Sequence, residues 1–324
     1  MNTDAVLAFV AVAEEGQFQL AASRLGISQQ ATSKRVAGLE ADLGTVLFRR
    51  VPAGAVLTRD GRTFLPHAYA VVAAARAAVE SVQPRSRPLR VDVLARRGAG
   101  VDLVRGFLAA SPGLPVDTVT GGGAAATINS LLAGEIDAGY AYLRDVAAEL
   151  GPLLSCAYAY LEPMQVIVGD RHPLARAGRA SMRELARYPS WVPGIVAGSE
   201  WEAFYQEMSA AFGLTVDPTP YSSGTDSVFD SVAASQSLVT FVGEKSRVAL
   251  PGAAALVRLP VTDPAPLYPW SLIWRSQTRH PGTRRLIAHA RRTFDPPPRG
   301  AAVWLPSQAS AGLTVEAEAR AQAG

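Results

Sequence analysis

Through the first fifth of the chain, apolar residues return at helical spacing. Val6, Phe9, Val10 and Ala13 fall on one face of a helix that Thr3 would cap and Gly16 would stop. A second helix is predicted from about Phe18 to Leu25, ending at Gly26. Ser28 caps a third that reaches about Leu43, with Gly44 as its stop. Two short helices are thus joined by Leu25-Gly26-Ile27-Ser28. This is the spacing of a helix-turn-helix, with glycine at the sharp turn and Ile27 plugging the corner. Thr45–Thr58, with Pro52 and Gly54, reads as a β-wing. Thr58 then caps a long helix through about Val82, inside which Pro66 predicts a kink. Leu65, Val72, Ala75, Val79 and Val82 form a stripe on that helix with a spacing of about 3.5 residues. Such a stripe needs a partner, and a second copy of the chain is the simplest one.

After the helix-breaking stretch Gln83–Pro88 the pattern changes, and a domain boundary is placed there. Leu89–Ala95, Val116–Thr120 and Ile136–Tyr142 read as strands, separated by helices that begin near Gly100 and Ala124. This βαβαβ order argues for an α/β fold with parallel sheet covered on both faces. Gln165–Val168, Leu238–Val242 and Leu267–Trp274 continue as strands. Ser181–Arg187, Glu200–Phe212 and Arg279–Phe294 continue as helices. From Pro296 onward core-forming residues are few, and a disordered tail is expected, with Val315–Gln322 able to form a short helix.

Composition narrows the class. The chain has 324 residues, 48% hydrophobic and 18% charged, which suits two or three compact units of a soluble protein. A formal charge of +3 does not imply nucleic acid, but its placement matters. Between Arg24 and Arg62 stand Arg24, Lys34, Arg35, Arg49, Arg50, Arg59 and Arg62, against Glu40, Asp42 and Asp60. The N-terminus lacks a basic leader, and no apolar run reaches membrane-spanning length, so no membrane association is expected. Cys156 is the only cysteine. This fits a reducing cytosol and a cytoplasmic location, and it excludes an intrachain disulfide or a cysteine-based metal cluster.

On a helical wheel of the third helix, Thr32, Val36, Leu39 and Leu43 gather on the inward side. Gln30, Ser33, Lys34 and Ala37 gather on the other. Exposed Gln, Ser and Lys near a helix start are what reading a DNA major groove requires. Glutamine pairs with adenine, lysine donates to guanine, and the helix end attracts phosphate. Arg35 at the edge of this face suits phosphate, and Arg49 and Arg50 can reach the backbone or a minor groove. A solvated face on an ordinary helical domain is the plainer alternative.

The run from Phe9 to Gly61 resembles the N-terminal domain of LysR-type transcriptional regulators. The resemblance is carried by Phe9, Gly16, Phe18, Ala21-Ala22, Leu25, Ser28-Gln29, Ser33, Leu39-Glu40, Leu43-Gly44, Leu47-Phe48, Arg50, Leu57-Thr58 and Gly61. Two residues depart from the pattern: Gln17 replaces the usual serine before Phe18, and Gln30 replaces the usual proline after Gln29. They bear on the target sequence rather than on DNA binding. Downstream, Leu132-Ala133-Gly134-Glu135-Ile136-Asp137 and Arg171-His172-Pro173-Leu174-Ala175 resemble family segments more weakly. The resemblance implies a winged helix-turn-helix over residues 1–58 and a dimerising linker helix over 59–82. It also implies an effector domain over 88–295, made of two Rossmann-like lobes similar to periplasmic binding proteins. The lobes are placed at about 88–160 with 266–295 and at 161–265, and the tail at 296–324. The implied partners are double-stranded DNA, a small-molecule effector and a second copy, as homodimer or homotetramer. The candidate DNA contacts are Gln17, Ser28, Gln29, Gln30, Thr32, Ser33, Lys34, Arg35, Arg49, Arg50 and Thr58.

Ligands of open parallel sheets bind beyond the C-terminal strand ends. Arg96 and Arg97 follow the first strand and hint at an anionic effector, the alternative being two solvated arginines. Thr120 precedes the run Gly121-Gly122-Gly123, and Tyr142 ends the third strand. In the second lobe Ser190, Trp191 and Pro193 form a segment that resembles a cleft lining, and Ser223, Thr225 and Asp226 precede another helix. Trp191 suits an apolar or aromatic ligand. No enzyme constellation appears. His67, His172, His280 and His289 lack metal-ligand spacing, and neither a Gly-x-Ser-x-Gly elbow nor a Gly-x-Gly-x-x-Gly run follows a strand. No cofactor is expected. A small-molecule binding or transport module with a helical oligomerisation head remains the alternative to a regulator.

Overall fold

The computed structural model describes residues 2–52, 54–82, 87–96, 98–219, 225–247, 256–278, 280–298 and 300–309. The chain divides into two compact units, residues 1–87 with 129–136, and residues 88–128 with 137–324.

The first unit opens with α1 (Thr3–Glu15), α2 (Phe18–Leu25) and α3 (Gln29–Leu43). Asn2, not Thr3, caps α1: its side chain accepts from the Asp4 amide at 2.9 Å, and Thr3 is already helical. Gly26 takes φ 65° after α2, where a side chain would cost about 1–2 kcal/mol. The Ile27 amide then returns to the Ala22 carbonyl at 3.1 Å and tightens the turn into α3. Val6, Phe9 and Val12 of α1 pack on Val36 and Leu39 of α3, all buried. Leu43, expected on the same face, is 38% exposed, because it lies in the last turn of α3 beside the Gly44 cap.

A hairpin of β1 (Phe48–Val51) and β2 (Gly54–Leu57) forms the expected wing, with Phe48 opposite Leu57. The Phe48 ring lies 5.2 Å from Phe9 and ties the hairpin to the helices. Glu40 of α3 reaches the same place, accepting from the buried amides of Leu47 at 2.7 Å and Phe48 at 3.1 Å. The long helix α4 (Arg59–Val82) runs through Pro66 without interruption. Along its stripe Leu65 is half-buried, Val72 is buried and Val79 is 54% exposed.

The second unit is built on a mixed sheet. Its elements in order are β3 (Leu89–Asp92), α5 (Ala99–Ala110), β4 (Val116–Val119), α6 (Ala124–Leu132), β5 (Ala138–Ala141), α7 (Val146–Leu150) and β6 (Leu154–Gly169). There follow β7 (Ala180–Ser181), α8 (Met182–Leu185), β8 (Ser190–Trp191), α9 (Glu200–Phe212), β9 (Val216–Asp217) and α10 (Thr225–Ala234). The chain closes with β10 (Val239–Gly243), β11 (Leu256–Thr262), β12 (Ala265–Arg275), α11 (Pro281–Thr293) and β13 (Val303–Trp304). Along the main path the strand order is β4-β3-β5-β12-β6-β10-β8-β9. The first three strands are parallel, as the βαβαβ order predicts. β12 enters antiparallel to both β5 and β6.

The two lobes share β6. Leu154–Pro163 pairs with β12, whereas Met164–Val168 pairs with β10 and Gln165–Gly169 with β11. The strand changes partners at Pro163/Met164, and a register shift in β12 falls at Trp270/Ser271 nearby. The tail expected from residue 296 is corrected for its first part. Val303 and Trp304 pair with Ala265 and Pro266 of β12, and the Trp304 ring meets Phe204 at 5.6 Å. Ser307 bonds Glu207 through its amide and hydroxyl, at 3.0 and 2.8 Å. Residues 310–324, including the possible helix near Val315, lie outside the described residues.

Candidate nucleic-acid interface and ligand cleft

The helix α3 begins at a side chain rather than a carbonyl. Ser28 Oγ accepts from the Ala31 amide at 3.1 Å, and no acidic residue stands in the first turn. The first amides of a helix have no intrahelical acceptor, so this end is a positive pole suited to phosphate. Gln29, Gln30 and Lys34 are exposed around it and Ser33 is half-buried. Gln17, at the start of α2, is exposed and sits against the wing at Gly54. Arg49 is exposed on β1. Arg50 pairs with Ala55 across the hairpin, and its side chain lies outside the described residues.

Several members of the basic run are occupied elsewhere. Arg24 bonds Glu14 and also Glu15 at 3.3 Å, and Arg35 pairs with Asp4 at 3.0 Å. Arg62 Nη1 donates to the Leu57 carbonyl at 2.9 Å. Two candidate contacts are corrected. Thr32 is fully buried and turns its hydroxyl back to the Ser28 carbonyl at 3.2 Å. The Thr58 hydroxyl donates to Val46 O at 2.7 Å and accepts from Gly61 N at 3.0 Å, fastening the wing to α4. Glu40, which holds that wing from the other side, was not singled out as functional by its position, since an exposed-face glutamate carries no distinctive spacing.

In the second unit a cavity of about 1000 Å³ opens where β6 changes partners, at the C-terminal ends of the lobe strands. Its walls include Gly121–Ala124, Pro193–Gly194, Glu162, Glu200, Trp201 and Trp270. Asp92, at the end of β3, organises one side. It is buried and accepts from Leu94 N at 2.8 Å, Gly121 N at 2.9 Å and Thr127 Oγ1 at 2.7 Å. Glu200 comes from the other side. Its Oε1 accepts from the Ala124 amide, the first of α6, at 3.0 Å. Gly123 makes this approach possible: it has φ 105°, and a Cβ there would lie 3.1 Å from the carboxylate. Glu162 is 3% exposed, with Oε2 accepting from Trp270 Nε1 at 2.8 Å and Oε1 from Lys245 N at 2.8 Å. Burial pushes both carboxyl groups above the ordinary carboxylate range, against the opposing pull of these hydrogen bonds.

Of the expected cleft residues, Pro193 lines the cavity. Tyr142 is corrected: it is 1% exposed and packs edge-on against Phe204 and Tyr268 in the core. Ser190 is fully buried in β8, and Trp191 donates Nε1 to the Thr219 carbonyl at 3.0 Å while packing toward Val228 and Phe229. Both are held in β8 by its pairing with β10 and β9, and neither is among the cavity-lining residues. Arg96 and Thr120 are exposed and stand off the cavity walls. Arg97, Ser223 and the side chains of Thr225 and Asp226 lie outside the described residues. Sequence reasoning missed Glu162 and Glu200. Glu162 had a signal, being the one carboxylate within the apolar run Leu154–Gly169.

Two family descriptions match the chain. "Bacterial regulatory helix-turn-helix protein, lysR family" matches residues 3–62, and "LysR substrate binding domain" matches residues 83–295. The HTH-type transcriptional regulator PcaQ of Agrobacterium fabrum is 33% identical over 191 residues, 57% of this chain. The match spans 60% of the length of PcaQ, so the chain covers about three fifths of that relative. Among solved structures, a full-length OxyR from Pseudomonas aeruginosa superposes with a TM-score of 0.60 at 20% identity, covering 91% of this chain and 99% of that one. Full-length CbnR in complex with its target DNA gives 0.55 at 22% identity, covering 91% and 100%. These structural likenesses show the fold.

Proposed function

The chain belongs to the LysR family of bacterial regulatory helix-turn-helix proteins, and on that premise we propose that it is a cytoplasmic, DNA-binding transcription regulator answering to a small molecule. The first unit reads double-stranded DNA by laying the start of α3 in the major groove. The observation that carries this reading is the exposed set Gln29, Gln30 and Lys34 around a capped helix end without acidic residues. Arg49 on the wing grips the backbone. The solved CbnR complex with DNA supports the assignment by its fold. The second unit holds the effector in its cleft, and α4 pairs with a second copy along its stripe from Leu65 to Val82. The chain is a binding protein rather than an enzyme. In support, the regulatory family that it matches and relatives such as PcaQ are transcriptional regulators.

A gel-shift titration on the DNA upstream of the chain's own gene tests the reading. The wild type should bind with an affinity that falls steeply with salt, as counterions return to the phosphates. Lys34→Ala should weaken binding and lower the salt slope by about 1. Equal, salt-insensitive binding by both proteins would refute it.

A further inference from the structure

We propose that the cleft selects an organic cation, an ammonium or guanidinium group seated against Glu200 and Glu162 beside the rings of Trp201 and Trp270. The inference rests on the reading of this cleft as the effector site.

The charged residues on the cavity walls among the described residues are Arg144, Glu149, Glu162, Glu200 and Arg247. The two arginines are exposed: Arg144 approaches Glu149 at 3.8 Å through Nε, and Arg247 pairs with Asp102 at 2.7 Å. The two deeply buried ionisable groups are both carboxyl groups, Glu162 at 3% and Glu200 at 5% exposure. Helix α6 points its first amides at the cleft, which is where an anionic ligand would be expected to dock. The first of these amides is taken: Glu200 itself accepts from Ala124 there. An anion entering the cleft would therefore have to displace Glu200 or lie against it, and it would oppose the ionisation of a carboxyl group that burial already disfavours.

Glu162 points to the same ligand class. Both of its oxygens accept from groups that only donate, the Trp270 indole and the Lys245 amide, so it stands on the wall as an acceptor. Each oxygen keeps further lone-pair capacity for a donor from the cavity. Lys245 and Arg258 lie near Glu162 but off the cavity walls. The Lys245 ammonium sits 4.9 Å over the Tyr160 ring, and the Tyr160 hydroxyl donates to Glu244 at 2.7 Å. Arg258 is spent on the carbonyls of Gly243, Glu244 and Ser246. Neither offers a cation to the cavity. Desolvation raises both carboxyl groups, and a cation is the partner that restores their charge.

The aromatic wall completes the site. Trp201 stacks on Tyr268 at 4.8 Å, and Trp270 meets the same ring at 5.2 Å. The Tyr268 hydroxyl is buried without a hydrogen-bond partner among the described residues. Electron-rich rings beside two carboxylates favour a cation and bind its apolar part as well.

The test uses the full chain, thermal-shift and calorimetric titration, and a matched pair of probes of one shape, benzylamine and benzoate. Agmatine and succinate serve as a second pair. The two cations should raise the melting temperature and the two anions should not. Glu200→Gln and Glu162→Gln should each weaken benzylamine roughly ten- to hundredfold, the loss expected for one charge-assisted bond. If Glu200→Gln fails to fold, Glu162→Gln carries the same test. Stabilisation by benzoate or succinate, or by neither class, would overturn the proposal. So would cation binding that both variants leave unchanged. Gel shifts run on the same samples keep this apart from the regulator reading, because Lys34-dependent DNA binding can persist in every one of those outcomes.

Discussion

Glu40 shows how one side chain can set an interface without touching a ligand. It takes the amides of Leu47 and Phe48, whose side chains are buried, and so fixes the entry of the chain into the wing that carries Arg49. Glu40→Ala leaves two amides unsatisfied, which should cost about 1–3 kcal/mol in chemical denaturation of the full chain. Glu40→Gln keeps an acceptor and should cost less. Wild-type stability in the alanine variant would show that water or a neighbour replaces the carboxylate. The same reasoning explains Thr32 and Thr58. A hydroxyl near a helix start satisfies its own backbone before it serves a ligand.

At the scale of elements, α3 is informative because Ser28 caps its first turn, its Oγ accepting from the Ala31 amide. The amide of Gln30 closes no intrahelical bond in such a turn. Gln30→Pro, which installs the residue usual in the family, should therefore leave the melting temperature within about 2 °C, since proline is tolerated in a first turn. It should change base preference in a binding selection, because a bidentate glutamine is lost. A large fall in stability would mean that Gln30 is structural. α4 makes a separate prediction. Its stripe leaves Val79 exposed, and Val79→Glu should shift sedimentation toward the monomer at a given concentration. An unchanged profile would place self-association elsewhere.

For the molecule as a whole, the two cleft carboxyl groups make stability depend on pH. Both are raised by burial, Glu162 despite Trp270 and Lys245, and Glu200 despite the Ala124 amide and nearby Arg144. A carboxyl group raised on folding stays protonated in the folded state while the unfolded chain has already ionised. Its contribution is fully present below the unfolded value near 4.5 and is lost as pH rises through the raised folded value. Melting curves between about pH 4 and 8 should therefore show wild type falling relative to Glu162→Gln/Glu200→Gln as pH increases. Parallel curves would show that neither group is perturbed. His172 and His289, lowered by burial, act in the opposite sense on the acid side and are common to both proteins.

The sequence by itself determined the helices and wing of the first unit and their kind, and the βαβαβ start of the second. Apolar spacing placed α1 to α3 and the wing, Gly26 set the turn, and the run of residues from Phe9 to Gly61 carried the family resemblance. These are legible because capping, turn chemistry and helical period are local, each decided within a few residues of chain. The outward face of α3 was readable for the same reason: Gln30 and Lys34 follow from one helix and its inward stripe. The cleft was not readable that way. Glu200 meets Ala124, and Glu162 meets Lys245 and Trp270, only because β6 and β12 cross between lobes and bring distant residues together. Tyr142 and Ser190 went the other way, from expected lining to buried core, because strand pairing decides which side of a sheet a residue serves. Local period assigns a residue to a face. Only the packed sheet decides what that face meets.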